Sequence, residues 1–83
     1  MRYTVVWTPQ AEARLTELWM EASDRRAVSE SANRIDNELK DDPDRKGIAV
    51  GPMRLYIDDP LAVGYAVDLG DCMVKVLQVR RWR

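Results

Sequence analysis

Pro60-Leu61-Ala62-Val63-Gly64-Tyr65-Ala66-Val67-Asp68-Leu69-Gly70-Asp71-Cys72-Met73-Val74-Lys75-Val76-Leu77-Gln78-Val79-Arg80-Arg81-Trp82-Arg83 closes the chain, and its reading decides how the rest must fold. It reads as two strands, Leu61–Asp68 and Cys72–Arg80, joined by a tight turn at Leu69-Gly70-Asp71. In the first strand Leu61, Val63, Tyr65 and Val67 alternate with Ala62, Gly64, Ala66 and Asp68. A two-residue period therefore gives one large apolar face and one nearly bare face, close to which something else can approach. In the second strand Val74 and Val76 have one parity, and Met73, Leu77 and Val79 have the other. That predicts a bulge or burial on both sides, and it leaves the facing of Lys75 open.

Working outward, Asp58-Asp59-Pro60 is a turn, so the strand before it, Met53–Ile57, runs antiparallel to Leu61–Asp68. Met53, Leu55 and Ile57 share one face of that strand, and Arg54 and Tyr56 share the other. With helices over the apolar face, Arg54 and Tyr56 point into the open. Upstream lies a polar loop over residues 41–47, and before it Val28, Ala32, Ile35 and Leu39 repeat at helical spacing, predicting a helix over Arg25–Lys40. Ser23-Asp24 offers its cap, and Asp42-Pro43 forbids its continuation. A second stripe, Ala11, Leu15, Leu18, Trp19 and Ala22, predicts a helix over Pro9–Glu21 capped by Thr8, and Tyr3–Trp7 is a short strand feeding it. The order is β-α-α-β-β-β. It describes an α+β domain, an antiparallel four-stranded sheet covered on one face by an N-terminal helix hairpin.

At 83 residues, 46% of them hydrophobic and 33% charged, residues 1–83 make one domain near the lower limit of self-sufficiency. A partner chain is plausible on those grounds, as a homodimer or a hetero-oligomer. No 18-residue apolar run and no signal-peptide pattern is present, so the expected compartment is the cytoplasm, with no membrane partner. A single cysteine, Cys72, forms no internal disulfide and reads as a small packed residue; with no histidine the usual zinc sets are absent, and neither a metal nor another cofactor is expected. The net charge of −1 is uneven: eight Lys/Arg face ten Asp/Glu in residues 1–46, whereas five face four in residues 47–83. Lys75, Arg80, Arg81 and Arg83 stand in a final segment without an acid, as an anion-seeking patch or a solvated end.

Nucleotide-binding glycine loops, Ser–His or Cys–His pairs and metal clusters are all missing, which excludes most familiar enzyme classes. Arg54, Tyr56, Arg80 and Arg81 are what remains for catalysis, with Lys75, Trp82 and Arg83 for binding RNA. Guanidinium groups grip phosphates and stabilise charge on a reacting phosphate, and aromatic rings stack on bases. The structural alternative has Tyr56 covering apolar surface, Trp82 closing the end of the core and the arginines in solvent.

Val5-Val6-Trp7-Thr8-Pro9-Gln10-Ala11-Glu12, the hairpin ending in Leu39-x-x-Asp42-Pro43, Gly51-Pro52-Met53-Arg54-Leu55, the Pro60–Asp68 strand and Val74-x-Val76-Leu77-x-Val79-Arg80 occur in an order and spacing that resemble the RelE/ParE superfamily of bacterial type II toxins. The resemblance covers essentially the whole chain. It implies a small toxin neutralised by a co-encoded antitoxin that wraps its surface. In the RelE branch the activity is ribosome-dependent cleavage of messenger RNA by basic residues on the open sheet face; in the ParE branch it is poisoning of DNA gyrase. By position, two basic RelE residues fall on Arg54 and Tyr56, the arginine opening the next strand falls on Ala62, and the arginine after the last strand has its nearest counterparts in Arg80 and Arg81. A weak ribonuclease, a gyrase binder and a non-toxic member that retains antitoxin binding all stay open.

Overall fold

A computed structural model describes residues 2–82, so Arg83 lies outside the described residues. Strand β1 (Thr4–Trp7) runs directly into helix α1 (Pro9–Glu21) because Thr8 serves both. Its Oγ accepts the Ala11 N–H at 3.2 Å, and Pro9 sits where a missing N–H costs nothing. Asp24 caps α2 (Arg25–Glu38) in the same way, with Oδ1 accepting the Ala27 N–H at 3.1 Å. This helix stops short of the expected Lys40, and Leu39, just beyond it, is fully buried.

A 3-10 turn, Pro43–Arg45, leads to four strands: β2 (Ile48–Val50), β3 (Met53–Asp58), β4 (Leu61–Asp68) and β5 (Met73–Arg81). The sheet is therefore five-stranded, in the order β1-β5-β4-β3-β2, where the sequence predicts four strands. The extra strand forms because Gly51, at φ +58°, opens a two-residue turn that folds Val50 back onto Met53. The sheet is also mixed, since β1 lies parallel to β5, pairing Val5 with Val74 and Trp7 with Val76. Nothing local sets that direction, because the whole domain forms the connection between the two strands. Strands β3 to β5 form the expected antiparallel meander, and the unexpected β2 extends it at one edge.

The bulge expected in the last strand is present. The pairing of β4 with β5 slips between Gly64 and Tyr65, from Gly64 opposite Gln78 to Tyr65 opposite Val76. Leu77 is passed over, so Val74, Val76 and Val79 all face the helices despite their mixed parity, and all three are buried. They meet Ala11 and Leu18 of α1, Val28 and Ile35 of α2, and Leu61, Val63 and Tyr65 of β4. Lys75 thereby falls on the uncovered face.

Polar contacts fix α2 to the turn between β3 and β4. Ser31, fully buried, donates to the Asp58 carbonyl at 2.6 Å, and Arg34 grips the Asp58 carboxylate through Nε and Nη2 at 3.0 and 2.7 Å. The shared hydrogen bond raises the Arg34 pKa further above the ordinary guanidinium value. Trp7 Nε1 donates to Asp36 at 3.2 Å, tying β1 to the same helix.

Strand β3 faces the opposite way from the sequence expectation. Asp58 pairs with Leu61, Tyr56 with Val63 and Arg54 with Tyr65, so Arg54 and Tyr56 share the helix-covered side with the large residues of β4. Met53, Leu55 and Ile57 lie on the open side. The cause is the tight turn: closing Asp58 onto Leu61 locks the parity of β3 to that of β4, whose big apolar residues must face the helices.

Candidate functional site

The open face follows from that register. Strand β2 contributes Ile48 and Val50, opposite Leu55 and Met53. Strand β3 adds Ile57, β4 adds Ala62, Gly64 and Ala66, and β5 adds Lys75, Gln78 and Arg80, with Trp82 just beyond. Ile48 is 67% exposed, and Val50, Ile57 and Trp82 are each more than 40% exposed. Large apolar side chains gathered on one uncovered face mark a surface for a partner.

Small residues turn this face into a groove of about 210 Å³ with Ala62 and Gly64 as its floor. Met53, Leu55 and Ile57 stand on one side of it, and Gln78, Arg80 and Trp82 on the other. The Met53 side chain leans over Gly64, since a Cβ built there would come 2.8 Å from Met53 Cε. Trp82 is a wall of the groove and does not close the core, as the structural alternative had it.

The candidate catalytic residues do not converge. Arg54 lies under the sheet, where its Nε donates to the Lys46 carbonyl at 2.7 Å and its Nη2 to Gly47 at 3.4 Å. Beside it the Tyr65 hydroxyl shares its proton between the carbonyls of Pro43 and Lys46, at 2.7 and 2.8 Å. Arg54 thus holds the loop that brings the chain into β2. Tyr56 is half-buried on the same side, and burial, followed by the charges of Glu38 and Asp58, raises its pKa above the ordinary phenol value. A phenol shifted upward is a poorer proton acceptor at neutral pH.

Arg80 faces the open side, and Arg81 faces the helices, lining a small recess with Asp24 and Leu18. The cations of the helices and of the turn after α2 have partners: Arg14 with Glu17, Arg26 with Glu30, Arg34 with Asp58 and Lys40 with Asp36, while Arg25 stacks on Trp19 at 4.6 Å. Among the described residues Arg45, Lys75, Arg80 and Arg81 make no ion pair and no side-chain hydrogen bond. Three of these four lie on β5. The sequence singled out the three cations on β5 but missed the apolar groove, although the signal was present. A two-residue turn at Asp59-Pro60, combined with the large face of β4, already requires Met53, Leu55 and Ile57 to face outward.

Among the described residues no helix is long and apolar enough to cross a membrane. No family model and no curated protein matches the chain. Solved structures do. A chain of the toxin–antitoxin complex RelBE2 from Mycobacterium tuberculosis superposes with a TM-score of 0.78 at 20% identity, covering 98% of this chain and 92% of that one. A chain of a chromosomal ParDE toxin–antitoxin system from P. aeruginosa gives 0.76 at 14% identity, covering 99% and 98%. One from the archaeal RelE–RelB complex of Pyrococcus horikoshii gives 0.67 at 18%, covering 99% and 97%. From end to end, this chain has the fold of the chains in these RelE- and ParE-type complexes.

Proposed function

We propose that this chain is the toxin of a bacterial type II toxin–antitoxin pair, and that it acts in the cytoplasm by holding a protein target, in the manner of a ParE-type inhibitor of DNA gyrase. The observation that carries this reading is the composition of the open face. Cleaving RNA requires groups that move protons and groups that stabilise charge on the phosphate, placed together around the reacting atoms. Here Met53, Leu55 and Ile57 occupy the outward positions of β3, while Arg54 and Tyr56 are turned beneath the sheet. What remains outward is a mainly apolar groove edged by Gln78 and Arg80, which is suited to desolvating a protein segment. The fold likeness to chains of toxin–antitoxin complexes supports the antitoxin as a second occupant, one that neutralises the toxin by covering the same surface.

Expression without an antitoxin is expected to arrest growth, and the purified chain to inhibit DNA supercoiling by purified gyrase with no RNA present. Messenger RNA on translating ribosomes is expected to stay intact. Ribosome-dependent cleavage that falls on mutating Arg80 or Arg81 would replace this reading with the ribonuclease one. Harmless expression of the lone chain would leave only a non-toxic antitoxin binder.

A further inference from the structure

Strand β2 ends the sheet, and its outer edge is bare. Val50 pairs with Met53 across a two-residue turn, and Ile48 pairs with Leu55, so the main-chain groups of Val50 and Ile48 are turned toward β3. Ala49 stands between them, opposite Arg54, and its N–H and C=O are therefore turned outward, away from the sheet. A free edge of this kind is a template for another strand. The far edge of the sheet, at β1, is partly closed by the chain that follows α2: the Tyr3 N–H donates to the Lys40 carbonyl at 2.7 Å, and Arg2 bridges Asp41.

Strand β2 also lacks the charges and prolines that keep free edges apart. Ile48, Ala49 and Val50 are all exposed, and Lys46, the cation just before them, is held by Glu38 at 3.0 Å. The strand is, moreover, complementary to itself. About a two-fold axis through Ala49, an antiparallel copy sets Ala49 against Ala49, Ile48 against Val50 and Val50 against Ile48. The Ala49 pair exchanges main-chain hydrogen bonds, and the pairs beside it are of the non-hydrogen-bonded kind, in which side chains approach most closely. Ile48 and Val50 lie on the open side, so apolar meets apolar there, and only methyl groups meet on the other side. One step further out Gly47 faces Gly51, where no side chain obstructs the approach. The cross-strand rows Leu55–Ile48 and Met53–Val50 then run on into the same rows of the copy, so the apolar surface continues across the junction.

We propose that β2 pairs antiparallel with β2 of a second copy of this chain, joining the two five-stranded sheets into one about a two-fold axis at Ala49. The proposal does not rest on the target named above, because the groove over Ala62 and Gly64 lies inward of β2 and stays open in the paired form. Three residues from each copy make a contact below about 1,000 Å², the size of a weak association that depends on concentration. Sedimentation velocity of the full chain from about 10 µM to about 1 mM should show the mass rising from 9.6 kDa toward twice that value. At the higher concentration the Ala49 amide should exchange with deuterium several-fold more slowly.

Ala49→Pro removes only the outward N–H, at a place where an edge strand tolerates proline, and should hold a folded chain at the monomer mass. Ile48→Lys with Val50→Lys should do the same, and so should Ile48→Glu with Val50→Glu. An equal mixture of these two charged variants should recover a dimer, since each lysine then faces a glutamate. Ile57→Lys, in the wall of the groove, should leave the association unchanged, so that loss of the target and loss of the pairing are told apart. Thermal melting verifies that each variant is folded. The proposal is overturned if the unaltered chain keeps the monomer mass at about 1 mM, if folded Ala49→Pro still associates, or if the two charged variants fail to recover a dimer on mixing.

Discussion

Arg54 and Tyr65 stand opposite each other in the β3–β4 pair and share one acceptor, the Lys46 carbonyl, which receives the guanidinium Nε at 2.7 Å and the phenol hydroxyl at 2.8 Å. Two side chains from adjacent strands thus converge on a single main-chain oxygen of the loop before β2. An arginine that the sequence offers as a catalytic group is occupied in holding the chain together.

Replacing Arg54 with methionine should therefore act on stability before activity. The variant keeps most of the packing and loses a charge-assisted hydrogen bond, so urea denaturation should show a loss of about 1–2 kcal/mol. Gly47→Ala should be more damaging, because at φ +68° a Cβ would overlap the Leu55 carbonyl oxygen.

Tyr65 links stability to alkaline pH. Burial raises its pKa above the ordinary phenol value of 10.0, and its hydrogen bond with Arg54 opposes part of that rise. The native state therefore holds the phenolic proton more tightly than the unfolded chain does. This contribution is complete below about pH 10 and is lost as the pH rises through the higher native value. Tyr65→Phe should cost about 1–2 kcal/mol at neutral pH. It should also make the alkaline decline of the melting temperature shallower. Some decline should persist, since Tyr3 and Tyr56 are shifted upward as well.

On the open face the effects should separate in the other direction. Ile57 is 41% exposed, so Ile57→Lys should change stability by no more than about 0.5 kcal/mol. It should nevertheless abolish growth arrest, because a charge would then stand in the wall of the apolar groove. Growth assays paired with thermal melting check both outcomes; arrest undiminished in a stable variant would place the target elsewhere.

Beneath the helices, Ile35 is fully buried, and Ile35→Ala should cost about 2–5 kcal/mol, enough to unfold a domain of this size at growth temperature. Ser31→Ala removes the donor to the Asp58 carbonyl and should cost about 1 kcal/mol. Circular dichroism during urea titration distinguishes the two.

The elements that depend on nearest neighbours along the chain were legible from the sequence. Thr8-Pro9 and Asp24 start their helices where their side chains can take up free N–H groups, and the alternation from Leu61 to Asp68 marks β4 to the residue. The mixed parity of Val74, Val76 and Val79 announced the bulge that brings all three inward. The site was only partly legible. Arg80 lies on the open side as expected, the facing of Lys75 was left open by the sequence and is decided by the bulge, and Arg54 and Tyr56 were assigned to the wrong side. An amphipathic strand shows which residues belong together and not which group faces the core.

By itself, then, the sequence determined where the helices begin, which strands alternate, and how many cations end the chain, because caps, turns and periodicity act within a few residues. Only the tertiary structure decided that β1 lies parallel to β5, that Arg54 is occupied beneath the sheet, and that Met53, Leu55 and Ile57 face outward. Those features depend on the pairing of segments far apart in the chain. Once the Asp58–Leu61 turn couples β3 to β4, burying Leu61, Val63 and Tyr65 outweighs the local preference of β3, and its apolar side is left for a partner to cover.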